Sequence, residues 1–293
     1  MTVLSQLVMA VCVVTSLGAP AMTVVDLTHQ LGKDSLFWPG QPPFNFTILH
    51  RGYYQVWKTW FENNHLAVAE HGGTHIDAPA HFAEGHWRTH EIPASHLVGP
   101  GVIVDVTDKV KDNSDYAVTV GDLKAWEDQY GRIPDGAVVL MKSGWSKRYP
   151  DAKRMFGTET PEDDTTYHFP GFDEDAARWL AEERSVVAVG ADTPTPDPGI
   201  KSHSFPVHQV LLPKDVVLLE FVANVESLPP SGATIVIGVV NLRDGSGGPA
   251  RIMGLIGPDA DTSGCAAGLG EGMGLAWLLS AGVLLTNRIA RAQ

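Results

Sequence analysis

Short apolar runs separated by polar breaks predict a domain with more strands than helices. Six runs rich in valine and isoleucine, each bounded by glycine, proline or aspartate, have the length and composition of strands. They are Val24–Thr28, Gly101–Val106, Ala137–Lys142, Val186–Val189, Val216–Phe221 and Thr234–Val240. Several of these runs are apolar on both faces, which indicates strands that other elements cover on both sides.

Two segments instead place apolar residues at helical spacing. Thr119–Tyr130 carries a candidate N-cap at Thr119, and Phe172–Glu183 has acidic residues in its first turn, where the helix dipole favours them. Strands outnumber helices, and no linker or repeat divides the chain between residues 22 and 258. The pattern therefore predicts one mixed α/β domain over residues 22–258, built around a β-rich core.

The N-terminal residues 1–18 have the pattern of a secretory signal peptide. Leu4–Leu17 is almost continuously apolar and is followed by small residues suited to cleavage, although no lysine or arginine precedes it. The alternative is a buried first strand or helix. A signal peptide predicts a protein of the secretory pathway, extracellular or at the cell surface.

The C-terminal residues 265–286 form a second apolar segment, long enough to be a marginal membrane-spanning helix. Arg288 and Arg291 follow it, which suits a cytoplasmic end. A lipid-anchor signal is the alternative, and a helix packed against the domain is the third possibility. The segment is therefore predicted to be a hydrophobic anchor, with a transmembrane helix favoured over a lipid anchor.

Composition and charge narrow the class of protein. With 44% hydrophobic residues the chain is too apolar to be disordered, and its formal net charge of −13 makes a nucleic-acid partner unfavourable. The two cysteines, Cys12 and Cys265, both lie in the terminal segments. The central domain is thus predicted to have neither an internal disulfide nor a thiol nucleophile.

The histidines are the residues that indicate a chemical function. Six of the 12 histidines lie between His71 and His96, and the densest stretch reads His71-Gly-Gly-Thr-His75-Ile-Asp77-Ala-Pro-Ala-His81. The Gly-Gly pair and the proline exclude a helix, whereas a strand would place His75, Asp77 and His81 on one face. A turn at the glycines would let His71 join them. Imidazoles and a carboxylate that converge in this way predict a site for a divalent metal, Zn²⁺ or Mn²⁺.

The same stretch, HGGTHIDAPAHF, resembles the signature of the metal-dependent cyclase/arylformamidase family, which includes bacterial kynurenine formamidases and isatin hydrolases. Other segments extend the resemblance over about residues 24–256; they are Phe37–Gly40, Lys142–Trp145, Gly190–Pro194 and the tract that contains His208 and Glu220. The resemblance implies a central barrel-like mixed sheet flanked by helices, and a homodimer. It also implies a complete site: His71, His75, Asp77, His208 and Glu220 for one or two metal ions, His81 as the catalytic acid/base and Trp38 in the substrate pocket.

The resemblance implies a metal-dependent hydrolase of small aromatic amides. A divalent ion lowers the pKa of a bound water from about 15.7 to about 7, and a histidine can deliver the proton that the leaving nitrogen needs. Arylformamidase, which converts N-formyl-L-kynurenine to L-kynurenine and formate, is the favoured activity. Isatin hydrolase is the alternative, and a non-catalytic metal-binding surface protein of the same fold is the alternative from another class.

Overall fold

A computed structural model describes residues 21–258 of the chain. The predicted signal peptide at 1–18, the predicted anchor at 265–286 and both cysteines lie outside the described residues. Within residues 21–258, no helix is both long and apolar enough to cross a membrane.

The described part of the chain is rich in strands, as the apolar runs predicted. The strands are β1 Thr23–Asp26, β2 Asn45–Tyr54, β3 Thr59–Ala67, β4 His75–Asp77, β5 Val98–Asp105, β6 Ala117–Val118, β7 Val138–Lys142, β8 Gly171–Phe172, β9 Ala188–Ala191, β10 Val217–Glu220, β11 Ala233–Val239 and β12 Gly247–Ile256. The α-helices are α1 Thr107–Asp112, α2 Val120–Tyr130, α3 Ala152–Phe156, α4 Glu174–Glu183 and α5 Pro206–Leu211.

Seven strands close into a barrel of mixed direction. The order around it is β12, β11, β5, β7, β9, β10 and β4, and β4 returns to pair with β12. The neighbours from β5 to β10 are parallel, and the remaining neighbours are antiparallel. The strand β1 pairs with the C-terminal half of β12, on the same edge that β4 uses further along. The prediction of a single α/β domain with a barrel-like mixed sheet is confirmed.

The strands β7, β9 and β10 of the barrel are buried on both faces, which explains their continuous apolar sequence. In β7, Val138 and Leu140 belong to a core cluster that includes Ile76 and Leu219, whereas Val139 and Met141 belong to a second cluster with residues of α2 and α4. Side chains alternate across a strand, so the first cluster fills the barrel and the second lies between the barrel and its helices.

The helices begin where the sequence places their caps. Thr119 is the N-cap of α2, and its Oγ1 accepts a hydrogen bond from the Asp122 main-chain N–H at 3.2 Å. The predicted helix from Phe172 begins two residues later, at Glu174, because Phe172 is paired in a short parallel strand and Asp173 is the cap.

The hairpin formed by β2 and β3 pairs with no other described strand and leaves much of its apolar surface exposed. Its exposed large apolar side chains are Phe46, Ile48, Leu49, Tyr53, Val56, Trp57, Trp60 and Leu66. Two-stranded hairpins are marginally stable on their own in water. The homodimer that the family resemblance implies stays a prediction.

Candidate metal centre and substrate cavity

Two neighbouring strands of the barrel present the central side chains of the site. In β4 and β10, His75 lies directly opposite Glu220. Ile76 and Leu219 point into the barrel, so the side chains on either side of them point outward, towards α5. From α5, His208 approaches the same point and is 2% exposed. The barrel wall and one short helix therefore bring together residues that are far apart in the sequence.

Four side chains converge with nearly equal spacing. His75 Nε2 lies 3.3 Å from Asp77 Oδ1 and 3.4 Å from Glu220 Oε2. On the other side, His208 Nε2 lies 3.2 Å from Asp77 Oδ2 and 3.4 Å from Glu220 Oε1. His75, Asp77 and Glu220 thus offer ligand atoms that all lie within 4.8 Å of one another, and so do His71, Asp77 and His81. His208 contacts the second oxygen of each of the two carboxylates.

His71 joins the cluster through Asp77, and two glycines make this possible. Gly73 has a φ of +56°, a left-handed conformation that glycine adopts without strain, and a Cβ on Gly72 would lie 2.0 Å from the Phe37 ring. His71 Nδ1 lies 2.6 Å from Asp77 Oδ1, and its Nε2 lies 2.9 Å from Ser246 Oγ. Both ring nitrogens of His71 thus have protein partners, unlike Nε2 of His75.

His81 reaches the site by a different route from the one that the spacing predicted. The expectation of one strand through His75, Asp77 and His81 is wrong, because β4 ends at Asp77 and Pro79–His81 form a turn of 3₁₀ helix. Proline lacks the N–H that a further strand residue would donate, but it fits the start of a helical turn. The His81 ring nevertheless stacks on the His71 ring, with centroids 3.9 Å apart.

An open cavity of about 190 Å³ lies against these side chains. Its lining consists of Trp38, Gln41, His71, Asp77, His81, Phe82, Phe205, His208 and Glu220. The Phe205 ring centroid lies 5.4 Å from that of Trp38 and 5.3 Å from that of Phe82, so three aromatic rings form one wall. This volume is below the usual range for sites that hold drug-sized ligands, about 300–1,000 Å³, so the cavity suits a small substrate.

The charges of the site depend on one another. Burial opposes ionisation of Asp77, but the imidazoles of His71, His208 and His75 outweigh burial and hold the pKa of Asp77 well below its usual range. Burial likewise opposes protonation of His75, but Asp77 and Glu220 outweigh it and raise the pKa of His75 to about 9. For His81 burial dominates and lowers the pKa to about 4, so its imidazole is neutral at pH 7.

These residues fit a divalent metal ion. His75 Nε2 and Asp77 Oδ2 are buried and have no hydrogen-bond partner, although unsatisfied buried polar atoms are costly. Ligand bonds of about 2.0–2.1 Å in tetrahedral geometry give ligand–ligand distances of about 3.3–3.4 Å. The four contacts between nitrogen and carboxylate oxygen are 3.2–3.4 Å long. An ion would thus satisfy atoms that nothing else in the described residues satisfies.

Metal binding should strengthen as the pH rises, because the ion must displace protons. Without metal, the pKa of His75 is raised to about 9 and that of His208 is raised well above its ordinary value, so both imidazoles are protonated at pH 7. Since only neutral imidazole binds metal, we expect the apparent affinity for Zn²⁺ or Mn²⁺ to increase from pH 6 to pH 9. Calorimetric titration in two buffers of different ionisation enthalpy should reveal proton release at pH 7; equal heats in both buffers would contradict this expectation.

The sequence reading missed several residues of the site. Phe82 and Phe205 were not identified, although Phe82 directly follows His81; aromatic residues are common in cores, and neither position has a distinctive pattern. Asp197 was also missed, and it lies 2.5 Å from His208 Nδ1. His203, which precedes His208 by five residues, is exposed.

Two further polar residues, Asp192 and His86, form hydrogen bonds with other parts of the protein. Asp192 is 1% exposed and accepts hydrogen bonds from the main-chain N–H groups of Ser143 and Trp145, so it ties two loops together. His86 lies at the rim, with its Nδ1 2.8 Å from Asp215 Oδ1.

Comparison with known proteins agrees with this geometry. Residues 25–198 match the family described as "Putative cyclase". An isatin hydrolase of Roseibium aggregatum is 28% identical over 258 residues, which cover 83% of this chain and 96% of that protein. A kynurenine formamidase of Salinibacter ruber is 25% identical over 240 residues, covering 81% of this chain and all of that protein.

A solved structure agrees as well. Isatin hydrolase A from Ralstonia solanacearum superposes with a TM-score of 0.72 at 32% identity, over 80% of this chain and 92% of that one. The family match covers more than half of the chain, and the barrel extends over the matched segment and beyond it. The resemblance read from the histidine-rich stretch is confirmed: the chain belongs to the cyclase family, with relatives named isatin hydrolase and kynurenine formamidase.

Proposed function

We propose that this cyclase-family hydrolase opens a small, uncharged cyclic aromatic amide with water, as an isatin hydrolase does. The observation that carries the proposal is the cavity, in which three aromatic rings face His81 and the metal centre. Isatin is a flat amide ring fused to a benzene ring and carries no charge. Stacking against Trp38 and Phe205 would hold such a ring with its amide carbonyl towards the metal ligands.

The charge of the cavity favours this substrate over a free amino acid. Among the described residues that line it, none is a lysine or an arginine, and two are carboxylates, Asp77 and Glu220. N-Formylkynurenine carries both an ammonium and a carboxylate group, and no lysine or arginine in this lining matches the latter. The sequence alone favoured arylformamidase, whereas the lining favours the isatin-type reaction.

The proposed chemistry divides between the ion and the chain. A divalent ion held by His75, Asp77, His208 and Glu220 would lower the pKa of water and polarise the amide carbonyl. His71 hydrogen-bonds to Asp77 and would orient that carboxylate. Because His81 is neutral at pH 7, its imidazole can accept a proton from the attacking water. It can then deliver that proton to the amide nitrogen as the C–N bond breaks.

Hydrolysis assays with two substrates test the proposal. Purified residues 22–258, loaded with Mn²⁺ or Zn²⁺, should open isatin to isatinate with a higher kcat/KM than for N-formyl-L-kynurenine. The absorbance of each substrate reports its loss directly, and protein treated with a chelator is the matched control. A higher kcat/KM for N-formyl-L-kynurenine would overturn the proposal and favour arylformamidase, the second candidate, which the 25% identical formamidase supports.

The same assay separates both enzymes from a non-catalytic protein. If the chain binds metal but hydrolyses neither substrate nor simple anilides and cyclic imides, the metal-binding surface protein becomes the better explanation. The presence of His81 beside the cluster argues against that outcome, because a site that only binds metal does not need a neutral imidazole facing its cavity.

A further inference from the structure

We propose that Asp197 is a positioning residue, which fixes the tautomer and orientation of His208 and so makes its Nε2 available to the metal; this rests on the proposed function only in that a metal binds here. Asp197 is fully buried, and its Oδ2 lies 2.5 Å from His208 Nδ1. Because a carboxylate only accepts, Nδ1 must carry the hydrogen. Once the ring is neutral, the lone pair of Nε2 is free to bind an ion beside Asp77 and Glu220.

The carboxylate is itself held rigidly. Its Oδ1 accepts a hydrogen bond from the Val207 main-chain N–H at 2.6 Å, in the first turn of α5. The main-chain N–H of Asp197 donates to Thr195 Oγ1 at 3.2 Å. Asp197 therefore connects the start of the helix that carries His208 to the ring of the same histidine.

Only a side chain with two acceptor oxygens satisfies both donors, the Val207 main-chain N–H and His208 Nδ1–H. An asparagine at this position would offer one oxygen and one NH₂ group. If its oxygen accepts from Val207, its NH₂ faces His208 Nδ1 and favours the tautomer with hydrogen on Nε2, which blocks the metal. If its oxygen accepts from His208, two donors face each other at Val207. The geometry thus makes Asp197→Asn a test of the tautomer and not only of packing.

The two histidines opposite each other in the cluster differ in the group that accepts a hydrogen bond from Nδ1. His75 Nδ1 lies 2.9 Å from the Gly73 carbonyl oxygen, a neutral acceptor, so the main chain sets its tautomer. His208 depends on a side chain. Replacement of a residue that hydrogen-bonds to a metal ligand usually lowers metal affinity by about 10–100-fold.

The test measures Co²⁺ binding and the histidine tautomer in metal-free residues 22–258, and it needs no substrate. We expect Asp197→Asn to weaken Co²⁺ binding by about 10–100-fold, followed by the visible absorbance of the bound ion. Asp115→Asn is the matched control, since Asp115 also pairs with an imidazole, that of His168, at 2.9 Å outside the site. It should bind Co²⁺ as the wild type does.

Nitrogen-15 NMR of the histidine rings gives the second readout, with the His208 signals assigned by their loss in His208→Gln. At a pH high enough for the ring to be neutral, the wild type should show hydrogen on Nδ1 of His208, and Asp197→Asn should show a mixture or the reverse. The proposal fails if Asp197→Asn binds Co²⁺ with wild-type affinity, or if the wild-type ring carries its hydrogen on Nε2. The wild-type spectrum decides the matter even if the variant does not fold. Hydrolysis data are independent: loss of Co²⁺ affinity without turnover of either substrate would leave this inference intact and overturn the proposed function.

Discussion

His81→Ala should reduce kcat by about 10²–10⁴-fold while the protein keeps its metal. The imidazole faces the cavity and stacks on His71, but its loss removes none of the four closely spaced donors around the central point. Because the pKa of His81 is lowered to about 4, the neutral ring is ready to accept a proton at pH 7, and alanine cannot replace that step. Steady-state hydrolysis together with metal analysis of the same sample tests this result.

A remote histidine gives the control for that measurement. His168 is exposed and pairs with Asp115, so His168→Ala should change neither kcat nor metal content. If His81→Ala retained more than about a tenth of wild-type kcat, the proton would have to travel by another group. If the variant lost its metal, His81 would be a ligand and its assignment as acid/base would be wrong.

Asp77→Ala should abolish both metal binding and turnover. Asp77 contacts three imidazoles at once: those of His71, His75 and His208. We expect metal affinity to fall by at least about 100-fold, the upper end of what outer partners of a ligand cost, because this carboxylate lies at the centre of the cluster. Elemental analysis after gel filtration, beside hydrolysis assays at saturating metal, measures both effects.

Asp115→Ala is the control for Asp77→Ala, since it removes a carboxylate that lies beside an imidazole outside the site. Circular dichroism should show that both variants keep the fold of the wild type. Full metal occupancy in Asp77→Ala would contradict the central assignment, since Asp77 is the carboxylate that contacts three imidazoles of the cluster.

The sequence predicted the barrel strands well because most of them are covered on both faces. β7 and β10 each appear as an almost uninterrupted apolar run, and burial on both sides requires such a run. β12 was missed, because its glycines, proline and arginine interrupt the apolar pattern. The hairpin of β2 and β3 was missed for the opposite reason, since its exposed faces impose no alternation of apolar and polar residues.

The site was predictable only where chemistry is concentrated in one stretch. His71, His75 and Asp77 stand within seven residues and were identified from spacing, and family resemblance added the distant His208 and Glu220. Asp197 could not be identified in the same way, because an aspartate between prolines is an ordinary turn residue until the position of α5 is known. Tertiary structure alone pairs it with His208.

The three-residue strand β4 has a consequence for folding. It closes the barrel by pairing with β10 on one side and β12 on the other, and its first and last residues are His75 and Asp77. Separation of β4 from β10 would move His75 and Asp77 away from Glu220, so the closed barrel and the metal centre depend on each other. An ion that binds only the closed form stabilises it against global unfolding by about 2.7 kcal/mol at a hundredfold excess over Kd. Removal of the metal should therefore lower the stability of the closed barrel by the same amount.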